Sequence, residues 1–104
     1  MRGEVVIVPF PYSNFAVTKN RPALILIDLP GPDAVLAVIT STGNDPNAVA
    51  LDARDFQTGK LDHPSFIHPT KLFTFQKNVI GRVAGKITNT KWKEVISKII
   101  NLLN

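Results

Sequence analysis

Cysteine is absent from this 104-residue chain, and acidic residues are few. Without thiols the chain can form neither a disulfide nor a thiolate metal site, so we expect a cytoplasmic protein by default. Lys and Arg number 12 against 8 for Asp and Glu, which gives a net charge of +4 and a pI near 9.7. This cationic excess suits an anionic partner such as a nucleic acid or an acidic peptide.

Long apolar runs are also missing. No segment approaches the roughly 20 apolar residues of a membrane span, so we expect no membrane partner. Met1 to Glu4 lead directly into a predicted strand, and we expect no signal peptide. With 44% hydrophobic and 19% charged residues, the composition is that of a globular protein. The length fits a single domain over residues 1–104.

Recognisable metal or hydrolase motifs are lacking as well. His63 and His68 are five positions apart, each is followed by a proline, and Asp62 is the one carboxylate beside them. This spacing is not typical of a zinc site. The sequence contains no phosphate-binding loop, no Ser-His-Asp order and no paired carboxylates. We therefore expect no metal and no other cofactor.

What the sequence does contain is a series of short apolar runs rich in β-formers, separated by turn signals. Pro9 and Pro11 are expected to end the first run, and Gly81 and Gly85 suggest a bulge in the last one. We predict strands over 4–8, 22–28, 35–40, 48–51, 71–75 and 79–87, and a short strand between the two prolines of 63–69. We predict a polar loop over 13–20 and irregular structure or a brief helical turn over 52–59.

The pattern changes near the C-terminus. Apolar residues at helical spacing form one face of a predicted amphipathic helix that Thr88 or Asn89 can cap: Trp92, Val95, Ile96, Ile99 and Leu103. Many short strands followed by one helix predict a mainly β (α+β) fold, a small antiparallel barrel with a C-terminal helix.

Polar residues stand where the predicted strands end. Arg21 precedes an apolar run that reads as a strand buried on both faces. A guanidinium held at such a position either covers the rim of the barrel or reaches a ligand. The other residues of this kind are Thr40, Ser41, His68 and Lys71.

Four stretches, in this order and spacing, carry a resemblance to a known family: GEVVIVPFPYSN, NRPALIL, VLAVITST and DFQTGKLDHPSFIHPTKLFTF. Together with NVIGRVAGKI and the terminal helix, they resemble the MazF/PemK-like toxins of type II toxin–antitoxin systems. The resemblance implies an SH3-like antiparallel barrel of the CcdB/MazF kind, a homodimer, and metal-independent endoribonuclease activity on single-stranded RNA. It also implies a cognate antitoxin whose acidic segment blocks the RNA groove.

The resemblance also implies roles for individual residues. The family's Arg before Pro corresponds to Arg21, and its hydroxyl residue at the end of the third strand corresponds to Thr40, with Ser41 beside it. RNA cleavage without a metal uses the 2′-hydroxyl as nucleophile, and Arg21 can give charge-assisted hydrogen bonds to the phosphate while Thr40 adds a neutral donor. We expect Lys19, Asn20, Ser41 and Lys71 to bind RNA.

Two positions depart from the family pattern. Asn14 stands where many relatives carry an acidic residue. His68 stands beside Pro69 where the branch of the family with a VPFPF-type first strand, which this sequence resembles most, often has Arg. No carboxylate is therefore evident as general base. Since imidazole ordinarily titrates near pH 6.5, His68 is a candidate for proton transfer. It could alternatively bind phosphate or be a surface residue without a role.

Two other functions are compatible with this kind of fold. A CcdB-like protein binds DNA gyrase through a Trp-Gly-Ile tip, but this sequence ends in Ile100-Asn101-Leu102-Leu103-Asn104. An inactive barrel that only binds RNA or a protein remains a second alternative. Incubation with RNA in the presence of EDTA separates the enzyme from both.

Overall fold

The computed structural model of the chain describes residues 1–11 and 18–104. Within these ranges the chain forms one antiparallel sheet, in the order β4-β6-β3-β2-β1-β7-β5, and a C-terminal helix. The mainly β fold with a terminal helix is thereby confirmed, as a curled half-barrel. The elements are β1 Glu4–Pro11, β2 Thr18–Asp28, β3 Asp33–Thr40, β4 Val49–Leu51, β5 Phe56–Gly59, β6 Ser65–Gln76, β7 Arg82–Ile87 and α1 Asn89–Leu103, with 3-10 turns at Ala53–Asp55 and Lys77–Val79.

The central strands are buried on both faces, as their unbroken apolar runs predict. The core on the helix side comprises Val5, Leu24, Leu26, Ala37, Ile39, Val49, Leu51, Ile67, Ile87 and Val95. The core on the opposite side comprises Val6, Val8, Ala23, Ile25, Ala34 and Leu36, with Phe75 and Ile80 packed against it. Side chains alternate between the two faces along a strand. These two sets therefore show whether each remaining residue of β1, β2 and β3 projects toward the helix or away from it.

The sheet is strongly curled. Phe10 lies on β1 and Phe73 on β6, with β2 and β3 between these strands. In a flat sheet, strands three spacings apart would be about 14 Å from one another. The ring centroids of Phe10 and Phe73 are nevertheless 4.9 Å apart, so the sheet bends toward the side away from the helix.

The terminal helix begins where its cap predicts. The Thr88 hydroxyl oxygen accepts a hydrogen bond from the Lys91 N–H at 3.1 Å, which satisfies one of the free amides of the first turn. Val95 is fully buried against the sheet, and Trp92 packs against the same core. In the described part of the chain, no helix has the length and apolar character that crossing a membrane requires.

The prediction that Pro9 and Pro11 end the first strand is wrong. β1 continues to Pro11 and is paired with β2 from Val5 to its end. β7 pairs with β1 only as far as Ile7, so the last part of β1 has a partner strand on one side in the described structure. Proline is tolerated on such an edge because no ladder acceptor requires its missing N–H.

The predicted loop over 13–20 is therefore shorter than expected. β2 begins at Thr18, and Lys19 and Asn20 are strand residues paired with Phe10 and Pro9. The rest of the predicted loop, residues 13–17, lies outside the described residues.

Two further predictions need correction. The strands predicted over 63–69 and 71–75 form one strand, β6, in which the register against β3 shifts from Leu72 opposite Ala37 to His68 opposite Val38. Residues 69–71 form the bulge that this shift requires. The stretch 52–59 contains the brief helical turn, at Ala53–Asp55. Its second half is not irregular but forms the short strand β5, which has too few apolar residues for a detectable period.

A close glycine contact joins β5 to β7. Gly59 has φ +71 and pairs with Gly85, and a Cβ on Gly85 would collide with the carbonyl oxygen of Thr58. The register of β7 against β1 shifts at the same place, between Val5 and Val6, so the predicted bulge is confirmed. Lys60 N–H donates to the Ala84 carbonyl at 3.2 Å, and this bond fixes where the following segment leaves the sheet.

Candidate functional site

Residues 60–64, called here the crossover, connect β5 at one edge of the sheet to β6 near the other. The crossover forms one wall of a cavity of about 250 Å³ at the ends of β1, β2 and β3. Lys60, Leu61, Asp62 and His63 line this wall. The cavity thus exists because a chain segment has to pass from one side of the curled sheet to the other.

The floor of the cavity is apolar and rigid. It contains Ile7, Pro22 and Ile39, one residue from each of three neighbouring strands. Ile7 pairs directly with Pro22. The register that pairs Ala23 with Val38, continued by one residue, places Pro22 beside Ile39.

Arg21 and Thr40 are the next residues along β2 and β3, and both line the cavity. The same register, continued by two residues, sets them opposite one another. Successive side chains of a strand point to opposite faces. Arg21 and Thr40 therefore project from the face opposite to that of the floor residues, and they lie at the rim of the cavity. Both strands are anchored by fully buried neighbours such as Leu24 and Ile39, so the two backbones are held in place.

The structure brings most of the predicted site residues together. The cavity is lined by Lys19, Asn20, Arg21, Thr40 and Ser41, together with Ser65 and Arg82. Four cations, Lys19, Arg21, Lys60 and Arg82, face one carboxylate, that of Asp62. A concave surface with this excess of positive charge concentrates anionic ligands, and the hydroxyls and the apolar floor suit a ligand that carries both phosphates and flat apolar groups.

A second hollow adjoins the cavity and elongates it. The two share Ile7, Asn20 and Arg82, and the second hollow, of about 410 Å³, is also lined by Pro9, Val79 and Gly81. The Gly81 N–H donates to the Ile7 carbonyl at 2.8 Å, which fixes this extension to β1. We call these two adjoining hollows together the groove.

His68 lies beneath Thr40 and not at the surface. The residue is 3% exposed, so the alternative of an exposed histidine without contacts is wrong. Its Nε2 atom is 2.6 Å from Thr40 Oγ1, and that hydroxyl also donates to the Thr42 carbonyl at 2.8 Å. His68 does not line the cavity, and a ring this deeply buried offers no face to a substrate; its predicted role in direct proton transfer therefore conflicts with its position.

Asp45 approaches the other nitrogen of the same ring. Its Oδ2 atom is 3.6 Å from His68 Nδ1, too long for a hydrogen bond, and Nδ1 is buried without a hydrogen-bond partner in the described structure. The Asn47 N–H donates to Asp45 Oδ1 at 2.8 Å. That bond is the main cause that lowers the pKa of Asp45, with His68 and Lys71 adding to it and partial desolvation opposing it.

The sign of this pKa shift fixes how Asp45 affects stability. A folded-state pKa below the ordinary value of 3.8 means that the ionised carboxylate stabilises the fold at pH values above 3.8. That contribution is lost as the pH falls through the lower, folded-state pKa.

Two predicted residues remain to be placed. Lys71 is exposed on the bulge of β6 and does not line the groove; its RNA contact stays a prediction. Asn14 lies outside the described residues. In the parts of the chain that the structure covers, His, Asp and Glu do not form a group of three that could hold a metal ion.

Sequence reasoning alone misses Lys60 and His63 as site residues. Both belong to the crossover, and their position depends on β5, whose pattern does not predict a strand. The one signal available in the sequence is Pro64, which holds the preceding residue in an extended conformation. In the structure, the Ser65 hydroxyl also donates to the His63 carbonyl at 2.9 Å. His63 is thereby fixed in backbone while its side chain is exposed in the cavity.

Comparison with known proteins gives a family and a fold. Residues 1–103 match the model of the PemK-like, MazF-like toxins of type II toxin–antitoxin systems. A search of curated proteins finds no match.

Solved structures of similar fold cover almost the whole chain. A mycobacterial endoribonuclease in complex with its cognate antitoxin has a TM-score of 0.74 at 20% identity, over 99% of this chain and 91% of that one. MazF in a MazE–MazF structure from Deinococcus radiodurans has a TM-score of 0.76 at 20% identity, over 98% and 94%. The Mycobacterium tuberculosis toxin MazF-mt6 has a TM-score of 0.70 at 21% identity, over 94% and 95%.

Proposed function

Because the chain belongs to the PemK-like, MazF-like toxins of type II toxin–antitoxin systems, we propose that it is an endoribonuclease that cleaves single-stranded RNA. The observation that supports this most directly is the cationic groove with Arg21 and Thr40 opposite one another at its rim. Structural relatives at about one-fifth identity are named endoribonucleases.

The reaction we propose needs only protein side chains and the RNA itself. The 2′-oxygen bonds to the adjacent phosphorus, the bond to the 5′-oxygen breaks, and a 2′,3′-cyclic phosphate and a 5′-hydroxyl end result. Negative charge builds up on the phosphate oxygens in the five-coordinate transition state. Arg21 can donate two charge-assisted hydrogen bonds to them, and the Thr40 hydroxyl can donate a further one.

For proton transfer we propose His63 in place of His68. The reaction removes a proton from the 2′-hydroxyl and returns one to the 5′-oxygen, and a general acid or base has to reach the reacting atoms. His63 lines the cavity with an exposed side chain, whereas His68 is buried outside it.

Incubating the purified protein with single-stranded RNA in excess EDTA tests the proposed function. We expect cleavage that EDTA does not reduce and products that end in a 2′,3′-cyclic phosphate. Absence of cleavage, or cleavage that requires an added metal ion, would contradict the proposal. The two alternatives, gyrase binding and RNA binding without cleavage, both predict intact RNA in this assay.

RNA affinity should fall steeply with salt. Neutralising each phosphate of a single strand contributes about −0.7 to the slope of log K against log salt, so four groove cations give a slope of about −3. We expect Lys60→Gln to make the slope shallower by about 0.7. Lys93→Gln, on the exposed side of α1, is the matched control and should leave the slope unchanged; equal effects of the two variants would argue against a phosphate groove.

We further propose a homodimer that uses the aromatic surface around Phe73. Phe73 is 43% exposed although it contacts Phe10, and Leu72 beside it is also 43% exposed. Exposed apolar groups of this size mark interaction sites, and a stable interface buries on the order of 1,200 Å² or more in total.

Sedimentation at tens of micromolar tests the dimer. We expect a dimer for the wild type and a monomer for Phe73→Lys, because a buried charge without a partner is costly. Leu103→Lys, at the 80%-exposed end of the helix, is the control and should remain dimeric. A wild-type protein that sediments only as a monomer would contradict the proposal.

As partner we propose a cognate antitoxin with an acidic segment that occupies the groove and competes with RNA. The charge of the groove supports this, since the same cations that attract phosphates attract carboxylates. Antitoxin complexes of structural relatives are known. Because mRNA is the substrate we envisage, we place the action of the toxin in the cytoplasm.

A further inference from the structure

The hydrogen bonds around Thr40 fix which atom donates to which. The Thr40 hydroxyl has a single proton, which it donates to the Thr42 carbonyl at 2.8 Å. Toward His68 its oxygen therefore acts as the acceptor, and Nε2, at 2.6 Å, is the donor. The ring holds Oγ1 from the buried side and takes no proton from it.

The position of Asp45 completes this arrangement. A carboxylate can only accept, so the approach of Asp45 Oδ2 to His68 Nδ1 is attractive when that nitrogen carries a proton as well. Nδ1 has no hydrogen-bond partner in the described residues, and the carboxylate that approaches it is that of Asp45. Asp45 is itself held in place, since the Asn47 N–H occupies Oδ1, the Ala48 N–H donates to its carbonyl, and the Thr70 hydroxyl lies 3.5 Å from Oδ2.

We propose that Asp45 and His68 are positioning residues that act through Thr40. Asp45 orients the His68 ring from the Nδ1 side, and Nε2 of that ring holds the Thr40 oxygen while leaving the hydroxyl proton free to turn from the Thr42 carbonyl to a phosphate oxygen of the substrate. If the ring were the acceptor, it would hold that proton itself. This inference rests on the proposed RNA cleavage and adds to it a residue, Asp45, from the turn between β3 and β4.

The burial of the His68 ring makes its contacts with Thr40 and Asp45 hard to replace. His68 is 3% exposed, so water does not replace a lost partner at either nitrogen, and an unsatisfied buried polar group is costly. The bulge at residues 69–71 lets β6 turn at this point. Lys71 on that bulge acts on Asp45, but it lies outside the groove.

A double-mutant cycle on cleavage rate tests the proposal. Asp45→Asn should lower kcat roughly tenfold, the usual effect of losing a group that orients a functional side chain, with KM changed by less than about twofold. In a Thr40→Ala background the same substitution should change kcat by less than about twofold, because the residue through which Asp45 acts is gone. An equal factor in both backgrounds would overturn the proposal, as would an unchanged kcat for Asp45→Asn alone.

Control variants separate positioning from a general loss of stability. Asp33→Asn makes the same charge change at the opposite end of β3 and should leave kcat unchanged. His68→Gln keeps an amide N–H near the Thr40 oxygen and should retain more activity than His68→Leu, which has no donor. If His68→Leu does not fold, as judged by its melting transition, His68→Gln and Asp45→Asn still decide the question.

Nitrogen NMR of the labelled histidine ring provides a readout that does not depend on activity. The Nδ1 signal of His68 should shift in Asp45→Asn, because the charged carboxylate beside that nitrogen is lost. Identical His68 signals in the two proteins would overturn the role of Asp45. If the wild type does not cleave RNA at all, the proposed function fails, and the ring signals still show whether Asp45 acts on the His68 ring.

Discussion

Replacing Arg21 with alanine is expected to lower kcat for RNA cleavage by roughly 10²–10³-fold, the cost of losing one donor to a developing oxyanion. The reason is that Arg21 lies at the rim of the groove, opposite Thr40, where the transition-state charge would form. The buried part of β2 begins only at Ala23, so the fold should tolerate the change. We expect the free energy of unfolding to change by no more than about 0.5 kcal/mol, as is typical of surface substitutions. The melting temperature should therefore stay close to that of the wild type.

Two matched variants make this experiment sharp. Arg54→Ala removes the same side chain from a site where it is 85% exposed and outside the groove, and it should cleave like the wild type. Arg21→Lys keeps the charge but loses the planar fork, so an intermediate rate is expected. An Arg21→Ala protein that melts normally and cleaves at the wild-type rate would contradict the assignment of the site.

The parts of the site that can be predicted from the sequence are those on long apolar strands. Arg21 directly precedes the apolar run of β2, and Thr40 directly follows the apolar run of β3. These runs fix the positions of the two residues, because a doubly buried strand fixes its register through the core. Once β2 and β3 pair antiparallel, both residues come to the same end of the sheet, where they line one cavity. The same reasoning predicts α1, whose apolar face has a clear 3.6-residue period.

The parts that cannot be predicted depend on tertiary contacts. The crossover brings His63 to the cavity only because Gly59 and Gly85 allow β5 to approach β7 closely, and β5 itself has almost no hydrophobic signal. The burial of His68 depends on pairing with β3 across a bulge, which no local pattern reveals. The prolines of β1 wrongly predict the end of the strand. Whether a proline ends a strand depends on whether a neighbouring strand needs its missing N–H, and the local sequence does not reveal that neighbour.

His63 is exposed in the cavity wall, whereas His68 is buried. Only the exposed ring can reach the reacting atoms. If His63 transfers a proton, His63→Ala should lower kcat by roughly 10²–10⁴-fold, the usual contribution of general acid–base catalysis, with little change in RNA affinity. The pH–rate profile of the wild type should contain a limb that depends on this side chain. A rate that rises with pH would identify a general base, and a rate that falls would identify a general acid.

The comparison with His68 decides between the two residues. His63→Ala should abolish the imidazole limb, and free imidazole added to the buffer should restore part of the rate, because the cavity that remains is open to solvent. His68→Gln should keep the limb, and added imidazole should not help, because that ring is enclosed by protein. The assignment of His63 would be wrong if its alanine variant retained both the rate and the limb. If instead the limb disappeared only in His68→Gln, the buried ring would control catalysis through Thr40, and the proton would move by way of the RNA or the solvent and not through a histidine at the cavity wall.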